Sequence, residues 1–193
     1  KPRLVQECAA GLLPVQVQGR GAERVIEVRA PDARFAGEDA ALAPALAAAL
    51  GAPVLAARNL CNGPWWLLAD LGEGTAVRAL KPDLQRVAEL NRCHGAVGVA
   101  AFGRQHDGAA DYSVRAFCPA DGIAEDPVTG SANAVIGAYL HATRPECAGG
   151  MRYRASQGRE VGRDGIVEVT VDAQGRVDIG GRCVICVEGQ LLA

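Results

Sequence analysis

The sequence predicts an α+β fold in which a mixed or largely antiparallel sheet packs around one fully buried helix. Two observations carry this. Stretches that alternate apolar and polar residues, or run wholly apolar, outnumber helical stretches. They also lack the strand–helix rhythm of a parallel doubly wound sheet. The second observation is the segment Ser131–Leu140 (SANAVIGAYL), which has apolar or small residues in every direction around a helical axis. A helix without a polar face is a buried one.

Leu12–Gln18 and Arg24–Ala30 alternate as strands do, with Gly19 and Gly21 marking the turn between them. Asp39–Leu50 is helical by propensity, and Pro44 sets the start of its regular part, where a missing N–H costs little. Pro53–Asn59 and Trp65–Leu71 are the next strands, joined through Asn62-Gly63-Pro64. Asp83–Asn91 places Leu84, Val87 and Leu90 on one helical face. Ala96–Phe102 and Tyr112–Phe117 are strands, followed by the buried helix over Ser131–His141. Gly137 and the alanines of that helix imply that other backbone approaches it closely. Strands are predicted at Met151–Gln157, Ile166–Val171, Val177–Ile179 and Cys183–Val187.

Composition excludes several function classes. With 49% hydrophobic and 22% charged residues over 193 positions, the chain has an ordinary globular make-up and can bury a core without metals or disulfides. A net charge of -2 and scattered arginines give no basic surface for nucleic acid. No stretch is apolar for long enough to form a membrane-spanning helix. Seven cysteines at irregular spacings suit reduced thiols in the cytoplasm. Cys183 and Cys186 form a C-x-x-C pair, but on a strand they point to opposite faces and read as packing residues. No His/Cys/Asp group has metal-ligand spacing, and no glycine-rich loop carries the lysine of a nucleotide site. The chain begins at Lys1 rather than Met, which implies residues upstream.

The chemistry concentrates before the buried helix. The first turn of any helix leaves N–H groups without intrahelical partners, and a buried helix cannot give them all to bulk water. Either a capping side chain or a bound anion must meet them. The sequence supplies both: Thr129 and Ser131 can cap, and Gly130 lets a ligand approach the backbone. Glu125 and Asp126 add two carboxyl groups beside the helix end. The residues alone leave capping and ligand binding open.

EDPVTGSAN (Glu125–Asn133) resembles the E-D-P-x-T-G-S-A stretch of the PhzF family, named after a phenazine-biosynthesis isomerase. Arg115-Ala-Phe117-Cys-Pro119 resembles that family's R-x-F-x-P run, and Asn62–Trp66 its G-P-W-W strand. Gln157-Gly158 with Gly162-Arg163 resembles its Q-G-x-x-x-G-R loop. Gly180-Gly181 and Glu188-Gly189 resemble its closing hairpin.

The resemblance implies the diaminopimelate-epimerase-like fold, in which two lobes each wrap strands around a buried helix and hold substrate between them. It implies residues 1–30 as the tail of a first lobe and 31–193 as the second, with the last strand pairing back onto the first. The first lobe's glutamate and Gly-His pair have no counterpart here, since no glycine precedes His94, His106 or His141. The chain alone is therefore expected to be inactive. Related epimerases use a cysteine from each lobe; Asp126 at that position argues against a two-thiol racemase.

By the same resemblance Asp126 is catalytic in a cofactor-free proton shift on a small carboxylic acid, while Thr129, Gly130 and Ser131 bind substrate. Glu125, Gln157, Arg163 and Arg115 are further candidates, Arg115 as a group that holds Glu125 or Asp126 in place. Arg159 is a weaker one. The expectation is a homodimer with no cofactor or metal. The competing function is a non-catalytic small-anion-binding or scaffold protein that retains one lobe.

Overall fold

The computed structural model describes residues 3–190. Lys1, whose place suggested upstream residues, lies outside them. In chain order the strands are β1 (Arg3–Cys8), β2 (Gly11–Gln18), β3 (Val25–Arg29), β4 (Arg34–Phe35), β5 (Ala56–Cys61) and β6 (Trp65–Glu73). β7 (Gly98–Arg104), β8 (Tyr112–Cys118), β9 (Ile123–Asp126), β10 (Met151–Gln157), β11 (Gly165–Val171) and β12 (Val177–Arg182) follow. The helices are α1 (Leu42–Leu50), α2 (Gly74–Ala79), α3 (Leu84–His94) and α4 (Gly130–Thr143). Among the described residues all twelve strands join one sheet in the order β1-β2-β3-β12-β11-β10-β8-β7-β6-β5-β4, with β9 paired to β8. β6–β7 and β8–β10 are parallel and the other pairs antiparallel, so the sheet is mixed as expected.

Strand periodicity divides the core into two layers. Trp66 and Leu68 of β6 and Ala100 and Phe102 of β7 face α4, in a cluster shared with Tyr153, Val167, Val169 and Val177. Leu67, Ala69 and Leu71, together with Val99 and Ala101, face the opposite side, toward Leu46, Val77 and Val87 of α1, α2 and α3. Covered on both faces, β6 and β7 read as continuous apolar runs. β11 has one covered face, and its burial alternates along the strand. α4 touches β6 and β7 on one side and β11 and β12 on the other, although these lie far apart in the strand order. The sheet therefore curves around the helix. Every residue from Ala132 to Leu140 is buried, as the absence of a polar face required. Its close neighbours at Gly137 are side chains rather than backbone: a Cβ there would stand 3.1 Å from Val169 Cγ1 and 3.2 Å from Val171 Cγ2.

Local chemistry accounts for the helix ends. Asp83 caps α3 by accepting from the N–H groups of Gln85 at 3.1 Å and Arg86 at 3.2 Å. α1 places Pro44 in its first turn and stops at Gly51 in the left-handed region, φ 69°.

The sequence expectation fails at Cys183–Val187, which is no strand. Residues 183–190 leave the sheet after β12 without regular structure. Val184 is 85% exposed and Val187 88%. Cys183 and Cys186 are therefore exposed thiols rather than packing residues. The β-branched apolar run has the propensity for a strand, but among the described residues no strand pairs with it to take up its backbone hydrogen bonds.

Candidate active site

β8 runs into a 3₁₀ turn at Pro119–Asp121 and returns as β9, pairing Ala116 with Asp126. Consecutive strand residues point to opposite faces, so the adjacent Glu125 and Asp126 have different surroundings. Glu125 meets Arg115 in a two-bond pair: Nε donates to Oε1 at 2.9 Å and Nη2 to Oε2 at 2.6 Å, with both side chains 8% exposed. Arg115 Nη1 also donates to Leu80 O at 2.7 Å, and the guanidinium lies over Phe117, 4.9 Å from the ring centroid. The R-x-F spacing thus places both residues on the face of β8 that meets α2 and its C-terminal turn.

Asp126 ends β9 on the other face and is half-buried. Its Oδ2 accepts from Thr129 Oγ1. Thr129 stands at the position preceding α4, yet its side chain caps nothing. Gln157, fully buried at the end of β10, ties this turn together. Gln157 Nε2 donates to Asp126 O and to Thr129 Oγ1, both at 2.9 Å. Gln157 Oε1 accepts from Thr129 N at 3.1 Å and from Asn133 Nδ2 at 2.9 Å. Gly158, at φ 96°, is required here, because a Cβ on it would meet Pro127 O at 2.4 Å.

Ser131 is held from the β5–β6 turn. Asn62 Nδ2 donates to Ser131 O at 3.0 Å, and Trp66 Nε1 donates to Ser131 Oγ at 3.2 Å. An indole N–H only donates, so Ser131 Oγ accepts there and its own proton points elsewhere. Gly130 and Ser131 open onto a cavity of about 420 Å³, also lined by Asn62, Arg29, Leu13 and Ile179. Among the described residues, Arg29 is its one charged wall residue. Hydrogen bonding to Asp178, at 2.6 and 3.0 Å, raises the guanidinium pKa above its ordinary value while burial opposes the shift.

A larger groove of about 650 Å³ crosses the strands at Val128, Asp164, Ile166 and Glu168. Asp164 and Glu168 already pair with Arg159 and Arg152, and no helix terminus opens there, so the smaller cavity is the better candidate.

Asp126, Thr129, Gly130, Ser131 and Gln157 come together at the start of α4. Glu125 and Arg115 support that junction from the other face. Arg163 is exposed, and among the described residues its side chain donates only to Gly162 O, at 3.3 Å. Asn62, Trp66, Asn133 and Arg29 complete the surroundings. Sequence reasoning missed them as site residues, although Asn62 and Trp66 stood in the quoted NGPWW run. Among the described residues no group of His, Cys, Asp and Glu could hold a metal, and no helix is long and apolar enough to cross a membrane.

Comparison with known proteins bears on family and fold. The family model described as "Phenazine biosynthesis-like protein" (PhzC-PhzF) matches residues 1–189. An uncharacterized isomerase of Schizosaccharomyces pombe is 32% identical over 133 residues, covering 66% of this chain and 71% of that protein. The uncharacterized isomerase YddE of Escherichia coli is 39% identical over 115 residues, covering 56% of this chain and 38% of that one. A PhzF-family phenazine biosynthesis protein of Bacillus anthracis superposes with a TM-score of 0.76 at 25% identity, covering 93% of this chain and 65% of the other. The matched region of this chain thus spans less than two thirds of several relatives' length, 38% for YddE and 65% for the Bacillus protein. The motifs around α4, the sheet that curves about it and these matches establish that the chain belongs to the PhzC-PhzF family and has the diaminopimelate-epimerase-like fold.

Proposed function

We propose that this chain carries the second lobe, preceded by the tail of the first, of an isomerase that moves a proton on a small carboxylic acid without a cofactor. The substrate carboxylate lies against the N–H groups of Gly130 and Ser131 and the Ser131 hydroxyl, where the helix end favours an anion. Asp126, one turn of chain away, exchanges the proton. One C–H bond breaks, another forms, and the double bond or configuration changes with no net oxidation. The observation that carries this reading is the uncapped start of a buried helix beside a carboxyl group, opening onto a cavity of about 420 Å³.

In this reading residues 1–30 are the tail of a first lobe and 31–193 the second, with the partner acid supplied by the first. The 193-residue chain alone would then turn over little or nothing. The cytoplasm and a homodimer are the proposed setting. The isomerase names of the relatives support the reaction class.

The test is solvent-hydrogen exchange. In D₂O, the protein with both lobes should load deuterium into at least one of a panel of small carboxylic acids with an acidic C–H bond, as seen by mass spectrometry. A panel that stays unlabelled, while the same protein binds those acids, would argue for the anion-binding alternative.

A further inference from the structure

We propose that Thr129 and Gln157 are positioning residues for Asp126: they hold its Oδ2 as a standing hydrogen-bond acceptor and leave Oδ1 as the oxygen that exchanges the proton. The inference rests on the reading of Asp126 given above.

The direction of the amide links is fixed by groups of single character. Asn133 Nδ2 donates to Thr129 O at 2.8 Å, and a carbonyl accepts only, so the Asn133 amide has one orientation. Its Nδ2 also donates to Gln157 Oε1, which accepts from the Thr129 backbone N–H as well. The opposite end of the Gln157 amide donates to the Asp126 carbonyl and to Thr129 Oγ1. Thr129 Oγ1 accepts a hydrogen bond from Gln157 and, toward the ionised carboxylate, which only accepts, donates its own proton to Asp126 Oδ2. A proton on Oδ2 would face the hydroxyl proton head-on. Oδ1 receives no hydrogen bond from the described residues.

A loop staple alone does not require this arrangement. The Gln157 bonds to Thr129 N and Asp126 O already pin the turn. At the position before a helix, a threonine hydroxyl ordinarily accepts from an N–H of the first turn. Here it turns away from the helix, and that one rotamer has two effects. The helix N–H groups stay without a side-chain cap, and the carboxyl group is tied at Oδ2. Gln157, at 0% exposure, is sealed from substrate and acts through Thr129.

The test has two arms. In the chain itself, proton NMR should show a slowly exchanging hydroxyl proton on Thr129. Thr129→Ser should keep such a proton and Thr129→Val abolish it, while Gln157→Leu should speed its exchange by about tenfold or more, as one lost buried hydrogen bond implies. No protected hydroxyl, or one indifferent to Gln157→Leu, overturns the proposal. Should Gln157→Leu fail to fold, the threonine pair decides.

In the two-lobe protein, Thr129→Val should lower kcat by roughly 10–100-fold, the worth of a hydrogen bond to a charged group, with KM within about twofold. Thr129→Ser should recover most of the loss. In an Asp126→Asn background Thr129→Val should cost nothing further, since it acts through the carboxyl group. Additive losses, or a change confined to KM, overturn it. If Asp126→Asn itself leaves turnover intact, the reading of the reaction fails, while the hydroxyl proton still decides the relay.

Discussion

At the scale of the residue, the Glu125–Asp126 pair shows how strand alternation gives two adjacent acids different surroundings. Glu125 is sealed against Arg115, so the pair holds β9 to β8 and to the end of α2. Removing one partner of a buried pair leaves a charge unpaired. Arg115→Met should therefore destabilise the chain by about 3–5 kcal/mol in urea unfolding, and replacing both partners by apolar residues should recover most of that. A loss below about 1 kcal/mol would place the pair among exposed ones.

The thiols give a second residue-scale prediction. Cys8, Cys93, Cys183 and Cys186 are exposed and should react quickly with a thiol reagent in the native protein. Burial, helped by the nearby Asp126 charge, pushes the buried Cys118 thiol from 9.0 up to about 12. It should resist the reagent until the chain unfolds. The sign for stability follows. Above 9.0 the unfolded thiol loses a proton that the folded one keeps, so this contribution is intact below 9.0 and erodes toward about 12. Melting temperature should fall through that alkaline range, and less so in Cys118→Ala.

At the scale of the element, α4 was legible because nothing polar interrupts it, and burial then forced the question of what meets its first N–H groups. What could not be read was the answer. Thr129 looked like a cap, and only the approach of Gln157 from β10, far along the chain, turns its hydroxyl toward Asp126. α2 was missed because GTAVRA is too short for a helical period to register, and β9 because its four residues, none of them fully buried, show no core-facing pattern. The C-x-x-C segment was misread because a β-branched apolar run marks strand capacity, whereas a strand also needs a neighbour. Within α4, Gly137 fits between Val169, Val171 and Val177. Gly137→Val should overpack this contact and cost about 1–3 kcal/mol of stability by chemical denaturation. An unchanged or stabler variant would mean that the sheet yields there.

At the scale of the whole molecule, sheet order explains why a site forms where it does. β10 lies parallel to β8, which brings Gln157 beneath the β9–α4 junction, and the β5–β6 turn supplies Asn62 and Trp66 from the other side of the helix. Apolar residues remain exposed at the sheet end, Leu4, Val5 and Leu12, and along the tail, Val184, Ile185 and Val187. Surfaces of this kind commonly find a partner. Self-association should therefore appear in light scattering across a dilution series, and a chain that stays monomeric at high concentration would contradict the proposed dimer.

The central claim is that Asp126, held beside the open start of α4, moves the proton. The most direct measurement compares deuterium incorporation by the two-lobe protein and its Asp126→Asn variant, on an acid that the unaltered protein labels. Asparagine keeps the shape of the side chain and can still accept from Thr129, but it cannot exchange a proton. The rate constant should fall by roughly 10²–10⁴-fold with substrate binding retained. An Asp126→Asn protein that labels the acid at the unaltered rate would contradict the account.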